Sequence, residues 1–266
     1  MYELSFKVRW NQGGMAMLEF FNTFTRAYGY YPRMGFGFYF DPTYLLVLIG
    51  AVFSLLASAL VNGTYAKYNK VRSMSNMTGA QVAERILRQA GIYDVRVQHI
   101  SGKLTDNYNP STRVLSLSDT VYNQCSVAAI GVAAHECGHA IQHAKGYVPI
   151  KLRSAMVPVV NICSTISWPM ILVGVIFSWN QSLIMLGIIL FSVAVVFSLV
   201  TLPVEFNASG RALKILRDSG ILSQDETRKA RKVLGAAAMT YVASAATMIL
   251  QLLRLVILFG GNRRDD

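Results

Sequence analysis

The sequence predicts a mainly α-helical, polytopic membrane protein, with about four transmembrane helices and a small α+β domain at the membrane surface. Three observations carry that prediction. Four apolar runs, Tyr44 to Val61, Ala155 to Ser178, Ser182 to Leu202 and Ala236 to Phe259, each reach the roughly eighteen residues needed to cross a hydrocarbon core. Hydrophobic residues make up 53% of the 266, and the mean hydropathy is +0.38, both high for a soluble domain of this length. Between the runs lie two polar segments with helix and strand patterns of their own.

The first 40 residues are rich in aromatics and glycine ("YGYYPRMGFGFYF") without a clear period. They show no small-residue cleavage site, so the first apolar run is expected to act as an uncleaved anchor. Beyond that run, "TGAQVAERILRQAG" begins with Thr78 and has Gln81 three residues on, a capping-box pattern. Apolar positions at Val82, Ile86 and Leu87 and a stop at Gly91 complete an amphipathic helix. "DVRVQHI" alternates as a strand does, turn-forming "SGKLTDNYNPST" follows, and "RVLSLS" reads as a second strand. A small hairpin or sheet is therefore expected, leading into a helix from about Ser126 to Lys145.

The second, third and first runs contain no Asp, Glu, Lys, Arg or His; the fourth holds Arg254, close enough to its end to snorkel to the interface. A net charge of +11 raises the question of nucleic acid, but the cations are dispersed and not interleaved with aromatics on one patch. No nucleic-acid partner is expected. Eleven Lys/Arg lie between the first and second runs and seven between the third and fourth, whereas the Trp179-Asn180-Gln181 link has none. The positive-inside rule then puts both large loops in the cytoplasm and the N-terminus outside, although Arg263 and Arg264 fall on the outer side. Three cysteines, Cys125, Cys137 and Cys163, in these places do not form a disulfide framework.

Chemistry concentrates in "AAHECGHAIQHAKGY", which holds three of the chain's four histidines. His135 and His139 are four apart, so on a helix both imidazoles leave one face and can reach one ion at about 2 Å each. Glu136 stands beside that face. Zinc lowers the pKa of a water it binds towards neutrality, and a carboxylate so placed can take the water's proton as it attacks a carbonyl. His143 is too far for the same ion, since a continuous helix separates it from His135 by about 12 Å along the axis. Cys137 points away from His135 and is expected in the core. The third ligand has to come from elsewhere on the same side of the membrane. Glu205, in "LPVEFNASGRALKIL" just past the third run, meets that requirement and is expected to open a helix. A glutamate at a helix start is also favoured by the dipole alone.

Together, "FDPTYLL", "MTGAQVAERIL", "LTDNYNPSTRVLSLS", "SVAAIGVAAHECGHAIQHA" and "PVEFNASGRAL" resemble the YugP-type neutral zinc metallopeptidases of bacterial membranes. The likeness runs from about Phe38 to near the C-terminus. It implies a zincin-like catalytic domain with His135 and His139 as ligands of Zn2+, Glu136 as the base and Glu205 as the third ligand. The layout is also similar to the HtpX-type membrane proteases, in which a Glu-x-x-Ala-Asp segment follows the intervening spans. Ser209 stands here in place of that aspartate, a weaker partner for a ligating histidine. Residues 1–33 are not covered, and Met34 just ahead of the matching block marks what precedes it as an extension or an upstream start.

The resulting map is an N-terminal extension (1–43), transmembrane helices at 44–61, 155–178, 182–202 and 236–259, a catalytic domain (62–154), a cytoplasmic helical segment with the third ligand (203–235), and a tail (260–266). The expected activity is peptide-bond hydrolysis by a membrane-integrated zinc endopeptidase of the cell membrane, acting on protein or peptide from the cytoplasmic side. The rival is a non-catalytic membrane scaffold or transport accessory with a structural zinc site, for which four protein ligands would speak. Tyr108, Tyr122, Tyr147, Arg211 and His99 are candidate oxyanion donors among which the sequence does not choose.

Overall fold

The computed structural model describes residues 41–260. The tail after Gly260 and all but the last three residues of the N-terminal extension lie outside them. Six helices and three short strands follow in chain order: α1 (Tyr44–Asn69), α2 (Gly79–Gln89), β1 (Arg96–Ile100), β2 (Asn107–Asn109), β3 (Val114–Ser118), α3 (Val127–Ala144), α4 (Val148–Ile176), α5 (Gln181–Asp218) and α6 (Gln224–Phe259). The protein is mainly α, and α1, α4, α5 and α6 are each long and apolar enough to cross a membrane. Their apolar side chains stand exposed, Leu55, Leu56 and Ile162 among them, as lipid-facing residues do.

Every one of these four helices continues past its apolar run. α1 runs on to Asn69 because Tyr65 and Tyr68 are buried against Ala128 and Val233, and the Tyr65 hydroxyl donates to the Thr120 carbonyl at 2.6 Å. α4 begins seven residues before Ala155. α5 contradicts the expectation that Glu205 opens a helix: it passes unbroken through Pro203 to Asp218. Proline removes one backbone donor and commonly interrupts a helix. In the turns just before it, the Ser198 and Thr201 hydroxyls bond the carbonyls of Ala194 and Phe197, and the helix continues.

α4 and α5 form an antiparallel hairpin whose approach depends on missing side chains. A Cβ on Gly187 would lie 2.5 Å from Ile171 Cγ1 and 2.9 Å from the Ser167 carbonyl oxygen; one on Gly174 would lie 2.7 Å from Ile184 Cγ1. Small residues allow such contact where no hydrophobic force draws helices together in lipid. Arg254 does not snorkel free: it is 2% exposed, with Nε 3.2 Å from Thr43 Oγ1 and its guanidinium 4.6 Å from the Tyr44 ring centre, tying α6 to the start of α1.

The surface domain is built on the extensions of these helices. Its core joins Val82, Ala83, Ile86 and Leu87 of α2, Leu115 and Leu117 of β3, Ile130, Ala133, Cys137 and Ile141 of α3, Ala212 and Leu216 of α5, and Ala230 and Leu234 of α6. The capping box of α2 forms as expected from Thr78 and Gln81. The two strands read from the sequence do not make a hairpin. β1 and β3 pair in parallel, with Arg96 opposite Val114, and the sheet order is β1-β3-β2. The segment read as a turn supplies β2, antiparallel to β3. Two side chains hold this hairpin. Asn109 Oδ1 accepts from the Ser111 and Thr112 amides, tightening the β2-β3 turn, and Asp106 accepts from the Ser118 amide and hydroxyl, holding the start of β2 beside the end of β3. The hairpin is thus formed by β2 and β3, and β1 joins on the far side.

Gly187→Ala is expected to destabilise the α4-α5 hairpin by about 1 to 3 kcal/mol, the usual cost of overpacking. Unfolding of the detergent-solubilised protein, followed by circular dichroism against denaturant, measures it.

Candidate metal centre

The α3 helix starts at Ser126, whose hydroxyl accepts from the Ala129 amide at 3.1 Å and donates to Asn69 Oδ1 at 2.7 Å. The residues that follow it are small and apolar up to His135, so the helix can lie close to its neighbours. The closest approach is inside the HExxH segment itself. A Cβ on Gly138 would stand 2.6 Å from the Ala208 carbonyl oxygen, so the backbones of α3 and α5 touch there. One residue from Gly138 is His139, and one turn before it is His135; three residues before Ala208 is Glu205. Backbone contact at that point brings the three side chains together.

His135 Nε2 and His139 Nε2 are 3.2 Å apart, and Glu205 Oε2 is 3.3 Å from the first and 3.7 Å from the second. A tetrahedral ion with bonds of about 2.0 to 2.2 Å separates its ligand atoms by roughly 3.3 to 3.6 Å, so these three atoms match one face of such a site. The tautomers agree. Gln142 Nε2 donates to the Val204 carbonyl at 2.9 Å and to Asn207 Oδ1 at 3.0 Å, which makes its Oε1 the acceptor, 3.1 Å from His139 Nδ1. The Nδ1 of His139 therefore carries the proton and its Nε2 presents a lone pair. Ser209 Oγ lies 3.1 Å from His135 Nδ1; with the hydroxyl accepting from that nitrogen, His135 Nε2 presents a lone pair as well. Two imidazole lone pairs and a carboxylate oxygen then converge on one point, and Glu205 Oε2, in a residue 2% exposed, has no hydrogen-bond partner. That convergence is repulsive unless a cation sits among them. The donor set suits zinc.

Of the four expected site residues, the structure brings three together at this point. His135, His139 and Glu205 form the one group among the described residues with three metal-ligating atoms close together. Glu136 contributes no atom to it and is buried beside His135, 6% exposed. His143 is not part of the group; its Nδ1 is 3.5 Å from the Tyr108 hydroxyl. Cys137 packs towards α2, with Sγ 3.6 Å from the Ala83 carbonyl oxygen; burial, and next the Glu136 charge, push its thiol pKa up and leave it a neutral core side chain. Of the candidate donors, His99 is bonded to Asp119 at 2.6 Å and lies edge-on to Tyr122, while Arg211 holds Asn207 Oδ1 at 2.7 Å and lies over Tyr147. The Gly102 amide and then His99 hold the Asp119 carboxyl below its ordinary pKa.

Gln142, Asn207 and Arg153 were missed in the sequence. Gln142 had a visible signal, an amide three residues after His139 on the same face of an otherwise apolar helix. Asn207 and Arg153 had none, because Asn207 meets the site through the packing of α5 against α3 and Arg153 through that of α4 against α5.

The family described as "Putative neutral zinc metallopeptidase" matches residues 43–260. The chain belongs to this family. It is also 46% identical over 213 residues to the "Putative membrane protease YugP" of Bacillus subtilis (strain 168), covering 80% of this chain and 94% of that protein. No solved structure matches. The chain is thus a multi-pass membrane member of a zinc metallopeptidase family, with a His-His-Glu group suited to the metal.

Gly138→Ala is expected to force α3 and α5 apart by a few tenths of an ångström or more. Metal sites tolerate only about 0.2 Å in ligand distance, so zinc affinity should fall by at least about tenfold. Competition against a chromophoric chelator measures the change.

Proposed function

We propose that this chain is a zinc endopeptidase whose ligands are His135 Nε2, His139 Nε2 and Glu205 Oε2, with Glu136 as general base and then general acid. The observation that carries the proposal is the convergence of two lone pairs and an orphaned carboxylate oxygen at ligand spacing. Three protein ligands leave a fourth position open, the hallmark of a catalytic site and not of a structural one. Zinc bound there supplies a Lewis acid and brings a water towards ionisation at neutral pH. Gln142 and Ser209 hold each imidazole in the tautomer that faces the ion. Glu136 takes the water's proton as the water adds to the peptide carbonyl, and returns it to the leaving nitrogen as the C–N bond breaks.

Substrate binding follows from the sheet. β2 is an edge strand, and Tyr108 within it reaches His143 of α3. An extended peptide adding to that edge runs alongside the catalytic helix, held by backbone bonds that read no side chain. The charge asymmetry supports a cytoplasmic site: α3 and the Glu205 region are separated by two spans, and both adjoining segments are Lys/Arg-rich.

Glu136→Gln should keep zinc and lose about two to four orders of magnitude in turnover on an unfolded protein substrate. Near-normal turnover with intact metal removes Glu136 from the mechanism. Glu205→Ala should hold zinc far more weakly, while His143→Ala leaves metal content nearly unchanged; elemental analysis of both variants decides between them. Since ligands bind deprotonated, zinc should be lost from the wild type as pH falls, not as it rises. Cysteines placed at Lys103 or Ser223 should resist a membrane-impermeant reagent added to intact cells, and strong labelling would reverse the topology.

A further inference from the structure

Arg153 lies near the start of α4, where that helix passes the metal site. A guanidinium carries five N–H donors. The partner the structure gives it is Glu205, and the 3.8 Å from Nη1 to Oε1 is beyond hydrogen-bond range. Its Nε is buried without a hydrogen-bond partner, yet 24% of the side chain is open to solvent. Glu205 is therefore two-sided: Oε2 faces the histidine nitrogens and Oε1 faces the arginine. A cation with uncommitted donors stands beside a metal ligand, at the open edge of the site. Burying such donors unpaired is costly, and an anion arriving at the site would satisfy them.

We propose that Arg153 is the oxyanion donor, its free N–H groups bonding the scissile carbonyl oxygen as that oxygen becomes an anion. This rests on the metallopeptidase reading above. As water adds, an O–C bond forms, the water's proton goes to Glu136, and the carbonyl π pair moves onto oxygen. When the C–N bond breaks, that pair re-forms the carbonyl and the proton passes to the leaving amine. Arg153 transfers no proton; a guanidinium acts through its fixed charge and its N–H donors. It stabilises charge that exists only during the reaction, so its effect falls on turnover rather than binding. His99 and Arg211, cationic candidates from the sequence, are committed to Asp119 and Asn207. The same guanidinium has the chemistry to hold a substrate's C-terminal carboxylate, but a terminal carboxylate lies at least one residue beyond the scissile bond, whereas Arg153 abuts a metal ligand.

The test uses the full-length protein in detergent, as wild type, Arg153→Ala and Arg153→Lys, with one fluorogenic peptide made as free acid and as C-terminal amide. Zinc affinity is measured by chelator competition, kcat and KM separately, and binding of a phosphinic analogue of the peptide as a readout that needs no turnover. For Arg153→Ala we expect kcat down by about 10² to 10³ on both peptides with KM little changed. Phosphinate affinity should weaken alongside. The change in zinc affinity should stay below the roughly 10- to 100-fold typical of losing a ligand's outer partner. Arg153→Lys, which keeps the charge and disturbs packing least, should recover part of kcat; should the alanine variant not fold, the lysine variant is judged by the same measurements. Normal kcat, a loss confined to the free-acid peptide, or release of zinc each overturns the proposal, the last by showing that Arg153 only positions Glu205. Absence of zinc-dependent cleavage in the wild type overturns the metallopeptidase reading itself, an outcome distinct from the other three.

Discussion

The backbone contact between Gly138 and Ala208 is the constraint on which the site depends. Nothing larger than hydrogen fits on Gly138, and α3 and α5 meet there at the distance that sets His135 and His139 against Glu205. Other features of the packing serve the same approach. Ala133, Ala134 and Ala140 keep α3 slim, the glycines of the α4-α5 hairpin fix where α5 descends, and Gln142 bonds the Val204 carbonyl of α5 while orienting His139. A single amide side chain thus joins helix packing to ligand geometry.

Much of this was legible in the sequence. Long apolar runs report helices crossing lipid because only helices and closed barrels satisfy every backbone group there. The i, i+4 histidines report one face of one helix, and the length argument against His143 needed only the rise per residue. Glu205 was reachable because the even number of spans returns the chain to the same side. What the sequence hid is tertiary. Glu205 looked like a helix start, yet α5 runs unbroken through Pro203 and past it. The β2-β3 hairpin is held by Asp106 and Asn109 acting as local braces, which a turn-rich composition does not reveal. Arg153 counts in the sequence only as one cation in a basic loop, whereas α4 carries it to Glu205.

The surroundings of the three proposed ligands differ in charge. Both histidines lean on neutral groups, an amide and a hydroxyl, whereas the glutamate faces a guanidinium. Neutral partners leave the imidazoles less electron-rich than carboxylate partners would, and a cation near the glutamate draws charge from it. Such a set donates weakly and keeps a bound metal a strong Lewis acid.

His135 and Glu205 are about seventy residues apart in the chain, with the whole α4-α5 hairpin between them. At synthesis rates of about 5 to 20 residues per second, the helix with both histidines leaves the ribosome several seconds before the glutamate proposed to complete the ligand set. That glutamate reaches the same compartment only if both spans have inserted with the correct orientation. A newborn chain, or one whose hairpin stalls in the translocation machinery, carries two histidines and no closed site. In the proposed site, complete metal binding is thereby linked to completed membrane insertion, and a protease built this way would stay inert until it has reached the bilayer.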